Sequence, residues 1–295
     1  MKKPLQNSHV NSAPSAGPKS FLDTSVALKH LTGHPKHKAR LNMLIPRPHY
    51  VNNYVRMEFY RALLMSWIHL YLEAADPFHA TFGEALLFYS DRFGRESKDA
   101  LTAVGNILSD VGFDLNSQSE KESCLRKLED LIFEVAYAFE LAYKLTGVDP
   151  TRCARMGTPL RVVASEYRRK TLSEFEERFS DTKGSRARCE VEKFFLGAKY
   201  ADQLAAVARI SQGQVAHRAL PQMNRSITKG NENPADVTCS TCARIGDAII
   251  AISVPSGWKL HSLDTVHEPI CQVLGKEFQI CPSAAAVKKS GSDDV

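Results

Sequence analysis

Helical patterning fills the middle of this chain, and short apolar runs of strand type flank it at both ends, an arrangement that leaves few folds open. From Tyr50 onward Tyr54, Glu58, Arg61, Leu64/Met65 and Ile68 recur at spacings of three and four. That period places Glu58 and the apolar block Phe59 to Leu72 on one long helix. Leu125, Leu128, Ile132, Val135, Phe139 and Ala142 repeat the pattern, with Ser119 three residues before Glu122 as a capping-box start and Gly147 and Pro150 as a stop. Further helices are expected around 80–92, 98–112, 160–179 and 188–212, so residues 59–212 read as all-helical. Phe21-Leu22 before Asp23, and Asn42 to Ile45 before Pro46, read as buried strands. At the other end Trp258 to Leu263 and Phe278 to Cys281 read as strands, alternating with helices at Gly246 to Ile252 and Glu268 to Leu274. The expected fold is α/β, a parallel sheet interrupted by a large helical insertion.

Residues 1–18 and 283–295 lack periodicity and are rich in small and polar residues, so they read as disordered tails. Between them, residues 19–75 and 236–282 form the two parts of the α/β domain. Residues 76–212 form the insertion, and 213–235, with Gly213, Pro221, Gly230 and Pro234, read as a long basic loop. The net charge of +5 conceals an uneven distribution. Residues 1–58 carry +7, with Asp23 and Glu58 as their only acids, and residues 183–230 carry +6. Two basic stretches suggest a polyanionic partner. At 43% hydrophobic and 24% charged residues, the chain is neither wholly disordered nor a collagen-like or coiled-coil rod. The apolar block Phe59 to Leu72 is shorter than the about 20 residues needed to cross a bilayer, and Arg61 and His69 interrupt it, so no membrane span is expected. Seven cysteines, an odd number, and an N-terminus without the apolar core of a signal peptide suit a reducing, cytoplasmic setting.

In an open parallel sheet, ligands bind beyond the carboxyl ends of the strands. Asp23 and Asp264 sit at expected strand ends, Asp247 opens an apolar helix after Gly246, and Glu58 lies on the helix after the second strand. Each alone also reads as a helix cap or turn residue. Together they can converge at one edge, where clustered carboxylates resist joint ionisation unless a cation neutralises them. Oxygen-only ligands suit Mg²⁺ or Mn²⁺. Such a site can orient water for attack on a phosphodiester.

The order and local pattern of these residues resemble the PIN-domain family of nucleases. The resemblance rests on Phe21-Leu-Asp23-Thr-Ser-Val, Tyr54-Val-Arg-Met-Glu58, Gly246-Asp247-Ala-Ile-Ile-Ala and Leu260-His-Ser-Leu-Asp264, and covers about residues 19–75 and 236–282. It implies a Rossmann-like sheet of PIN type and a metal-dependent endoribonuclease, in the setting of a toxin and antitoxin pair or of defence. It also implies Asp23, Glu58 and Asp247 as core ligands of Mg²⁺ or Mn²⁺, Asp264 completing the site directly or through water, and Thr24 and Ser25 as supports of the first-strand turn. The helical block between Glu58 and Asp247 departs from compact members.

Other signals stand beside this one. Lys29, Lys36, Arg40, Arg218 and Arg225 are candidate contacts to RNA or another single-stranded nucleic acid, and each also reads as part of a solvated face. Cys239-Ser-Thr-Cys242 has zinc-ligand spacing, but Cys271 and Cys281 do not supply a second such pair. His30, His34 and His37 read as a solvated loop or as a metal or phosphate contact. Phe59 to Leu72 reads as core, or as an interface for an oligomer or a protein partner of the insertion. Two further functions compete with the endoribonuclease: a non-catalytic RNA-binding or scaffold protein, and a structure-specific DNA nuclease using the same acids.

Overall fold

The computed structural model describes residues 19–33, 35–92, 95–146, 160–180, 191–210 and 218–282. Five short strands, β1 (Ser20–Leu22), β2 (His49–Val51), β3 (Tyr143–Leu145), β4 (Lys259–Ser262) and β5 (Glu277–Ile280), form one all-parallel sheet in the order β3-β2-β1-β4-β5. The protein is therefore a mixed α/β fold. Parallel sheets are covered on both faces, and the central strand β1 is fully buried, whereas the edge strands β3 and β5 each expose two residues. The chain moves outward from β1 through β2 to β3, then returns to the other side of β1 for β4 and β5. The order of connection thus reverses between β1 and β4, and in such sheets a crevice opens there.

Fourteen α-helices are described. After β1 come α1 (Thr24–Thr32) and α2 (Pro35–Leu44). After β2, α3 (Asn53–Phe59) passes through a π-helical turn, Tyr60–Leu64, into α4 (Met65–Ala74). Next come α5 (Phe82–Arg92), α6 (Arg95–Asp110) and α7 (Lys121–Ala142), the last running into β3. Then follow α8 (Arg168–Ser180), α9 (Glu192–Leu196), α10 (Ala198–Ala208), α11 (Leu220–Glu232), α12 (Cys239–Arg244) and α13 (Gly246–Ser253), and α14 (His267–Val273) joins β4 to β5. Helix α4 packs against α5, α6, α7 and α8. Its near-continuous apolar sequence follows from that position, and Phe59, Tyr60, Leu64, Trp67, Ile68 and Leu70 are all core residues of this chain.

Three sequence expectations change. Asn42 to Ile45 is not a strand: the second strand is His49–Val51, and residues 42–44 end helix α2. Leu41 and Ile45 are buried while Met43 and Leu44 are exposed, which is the four-residue spacing of a helix face. The central block is not purely helical, because β3 lies within it and pairs with β2. A strand of three residues directly after a long helix carries too few positions to show a period of two. The segment 213–235 is not a loop over its described length, since α11 and the 3₁₀ turn Pro234–Asp236 occupy it. Pro221 lies in the first turn of α11, where its missing N–H costs nothing. Gly230 lies where a Cβ would meet the Phe195 ring at 2.5 Å. Both residues resemble breakers in sequence, yet one is a helix start and the other a close packing contact.

The expected capping box at Ser119 and Glu122 is also absent. Helix α7 begins at Lys121 with no side-chain cap, and Glu120 accepts from the backbone N–H of Asp114 instead. His30 ends α1 and is hydrogen-bonded to Tyr143 and Asn42, while His37 is buried in α2. His34 lies outside the described residues. Among the described residues no helix is long and apolar enough to cross a membrane.

Candidate functional site

The carboxyl ends of β1 and β4 meet at the crevice. Asp23 directly follows β1, and its backbone N–H donates to His261 O of β4 at 3.0 Å, extending the ladder by one residue. Its side chain caps α1: Oδ2 accepts from Ser25 N at 3.3 Å, from Ser25 Oγ at 2.5 Å and from Ser262 Oγ at 2.8 Å. One carboxylate oxygen is thus saturated by a helix start and a neighbouring strand, and Asp23 is only 4% exposed. The same hydroxyls fix the β4 edge, with Ser25 Oγ accepting from Leu263 N and Ser262 Oγ accepting from Asp264 N. Asp264 Oδ1 accepts from Val266 N at 3.0 Å, a turn that launches α14.

Glu58 reaches the crevice from α3. Thr24 Oγ1 donates to Glu58 Oε2 at 2.5 Å, linking the residue after Asp23 to the helix after β2. Asp247 arrives on the first turn of α13, which packs against both α3 and α14. That approach depends on Gly246, because a Cβ there would lie 2.4 Å from Tyr54 Oη. Tyr54 in turn donates to Cys242 O at 3.1 Å, tying the α12 end to the helix that carries Glu58.

The centre of the arrangement is His267, the first residue of α14 and fully buried. Its Nε2 stands 3.5 Å from Asp23 Oδ1 and 3.5 Å from Asp247 Oδ1. Those distances are long for hydrogen bonds, so the ring acts as a charge between two carboxylates. Burial alone would push the imidazole pKa down, but the charges of Asp23 and Asp247 outweigh it and raise it well above the ordinary value. Burial likewise would raise Asp23, and the positive His267 with the Ser25 and Ser262 hydroxyls holds it low instead. Glu58 is pushed up to about 7, by burial first and then by Asp23 and Asp247, against the lowering pull of the Thr24 hydroxyl. Asp247 keeps about a third of its side chain exposed and Asp264 is exposed, so the cluster opens to solvent on their side.

The structure therefore brings Asp23, Glu58 and Asp247 into mutual electrostatic contact, with Asp264 on the same edge acting on His267. Thr24 and Ser25 are built into the cluster as hydrogen-bond donors to Glu58 and Asp23. His267 was not among the sequence candidates. The signal for it was its place one helical turn beyond Asp264, at the start of a helix leaving the same crevice. Among the described residues no three His, Cys, Asp or Glu side chains are arranged to hold a metal ion. That statement includes the buried Cys242, while the side chain of Cys239 lies outside the described residues. Of the expected nucleic-acid contacts, Lys29, Lys36 and Arg40 lie on the exposed faces of α1 and α2, Arg218 is exposed before α11, and Arg225 is exposed on α11.

Compared with family models, with curated proteins and with solved structures, the chain matches none.

Proposed function

We propose that the protein is a metal-dependent nuclease of PIN type, an endoribonuclease that hydrolyses phosphodiester bonds in RNA, acting in the cytoplasm as a toxin or defence nuclease. The observation that carries this reading is the elevated Glu58. Three carboxylates gather at the strand-order reversal, one just after β1, one near the end of α3 and one on the first turn of α13, and burial first, then the charges of Asp23 and Asp247, pushes Glu58 up to about 7. Proteins place like charges together at a cost, and a hard divalent cation is the group that relieves it.

The donor chemistry fits Mg²⁺ or Mn²⁺: oxygen ligands only, and a proton on Glu58 that a cation would displace. Asp23, Glu58 and Asp247 would hold the ion, with Asp264 completing the set. The ion supplies a water activated at neutral pH and charge stabilisation for the leaving oxygen. The chain's own residues do the positioning. Ser25 and Ser262 occupy Asp23 Oδ2 and leave Oδ1 beside His267, Thr24 aims Glu58, and His267 stands between Asp23 and Asp247. The test is cleavage of single-stranded RNA with Mg²⁺ or Mn²⁺. Asp247→Asn abolishes it with circular dichroism unchanged, and a purified variant cutting at the parent rate would defeat the reading. Single-stranded DNA, duplex and flap substrates in the same assay separate the RNA from the DNA reading.

A second reading has its own observation. His267 already supplies positive charge to Asp23 and Asp247, which is what a sheet retained for binding RNA or a protein partner, without catalysis, requires. It predicts RNA binding with no turnover in any divalent metal.

A further inference from the structure

A cleft of about 430 Å³ lies between α11, the turn Pro234–Asp236 and α12. Its charged lining is Arg225 and Lys229 from α11, Arg244 from α12, and one acid, Asp236. Asp236 is engaged by Asn233, whose Nδ2 donates to its Oδ2 at 2.7 Å. Among the described residues no carboxylate pairs with Arg225, Lys229 or Arg244, and all three are exposed. The remaining wall is mostly hydroxyls and amides such as Ser240 and Gln222, with Gly230 and Val237, and among the described residues no aromatic ring lines it on which a base could stack.

We infer that this cleft is the track for the phosphate backbone of the strand that the carboxylate site cuts, so the inference rests on the nuclease reading. Arg225 and Lys229 sit one helical turn apart, about 6 Å along the axis, a spacing that lets each meet a different phosphate of an extended strand. Arg244 faces them from the opposite wall. Cations without base-stacking or base-edge partners bind phosphate irrespective of sequence. The track leads to the site because α12 ends at Arg244, the single residue Ile245 joins it to α13, and Asp247 on the first turn of α13 opens to solvent together with Asp264. The Tyr54–Cys242 hydrogen bond locks that wall to the helix carrying Glu58. A strand held by the cleft is thereby registered against the acids.

The test uses the full chain with Arg225, Lys229 and Arg244 all changed to Glu, and a control with Arg126, Lys170 and Arg178 changed to Glu, exposed residues outside the cleft. Binding of a fluorescein-labelled single-stranded oligouridylate is titrated in EDTA across salt concentrations, and cleavage is followed separately in Mn²⁺. The cleft variant is expected to bind at least about tenfold more weakly, with the slope of log K against log salt reduced by about 2, as the loss of three phosphate contacts implies. The control is expected to change little. Equal affinity and slope in the cleft variant, an equal loss in the control, or no binding by the parent protein would each overturn the track. Binding that depends on the cleft without cleavage by the parent protein would leave the cleft as a phosphate-backbone site and sink the nuclease reading. Cleavage by both the parent and the cleft variant at equal affinity would do the reverse.

Discussion

His267 Nε2 lies 3.5 Å from Asp23 Oδ1 with both side chains shut away from solvent, an ion pair between the residue that follows β1 and the first residue of α14. Breaking a buried pair by removing one partner leaves an uncompensated charge. His267→Gln in EDTA is therefore expected to lose about 3–5 kcal/mol of stability in urea denaturation. Adding Mn²⁺ should recover part of that loss, since a bound cation replaces the missing charge. Equal stabilisation of parent and variant by Mn²⁺ would show that Asp23 and Asp247 do not share the ion with His267's position.

The same histidine sets a pH dependence. Its folded pKa is raised to about 9 from an ordinary 6.5, so its contribution is fully present below pH 6.5 and lost as the pH climbs toward 9. In EDTA the melting temperature is expected to fall across that window, and His267→Gln should flatten it.

Glu58 acts at lower pH and in the same direction. The fold keeps a proton to about pH 7 that the unfolded chain releases near 4.5, so its ionisation weakens the fold as pH rises through that interval. Glu58→Gln should remove this part of the slope in metal-free protein. Divalent cation binding, which expels the proton, should tighten as pH rises to about 7 and then level off. Calorimetry in buffers of different ionisation enthalpy reads the proton release directly.

Thr24→Val removes the 2.5 Å hydrogen bond that holds Glu58 down, so Glu58 should titrate higher than about 7. Carbon-13 shifts of the Glu58 carboxyl follow the change. The stability cost should be about 1.5–3 kcal/mol with Glu58 ionised, the range for a bond to a charged acceptor, and smaller at pH 5.

Gly246→Ala forces a methyl against the buried Tyr54 hydroxyl and should cost about 1–3 kcal/mol, as overpacking does. Tyr54→Phe loses the bond to Cys242 O and removes the shortest of these contacts, at 2.4 Å, while the ring carbons at 2.9 Å remain. The double variant is expected to be more stable than the sum of the single effects by at least about 0.5 kcal/mol, measured by a urea double-mutant cycle.

The segments that carry Asp23, Glu58, Asp247 and Asp264 were legible because each lies beside a strong local signal: an apolar run, a Gly before a helix, a period of three and four. The resemblance implied Thr24 and Ser25 only as supports of the first-strand turn, and the bonds of Ser25 to Asp23 and of Thr24 to Glu58 came from the structure. What the sequence hid was of a different kind. His267 matters through two partners that approach from α13 and β1, and no local pattern reports a contact made across the fold. β3 is too short to show periodicity, and its strand character comes from pairing with β2. The π-helical turn directly after Glu58 looks in sequence like any apolar helix, since its extra residue per turn is absorbed by packing within the helical block. Gly230 in α11 reads as a break unless the Phe195 ring against it is seen.

The bond from Ser262 to Asp23 joins residues separated by 239 positions. At about 5–20 residues per second of synthesis, roughly 10–50 s pass between the making of one and the other. Through that interval Asp23 and Glu58 are both present, yet neither β4 nor α13 exists to complete the crevice. A chain released before Ser262 thus lacks the completed crevice. If the product is harmful to the cell that makes it, as a ribonuclease is, the topology itself delays the hazard until the chain has reached Ser262.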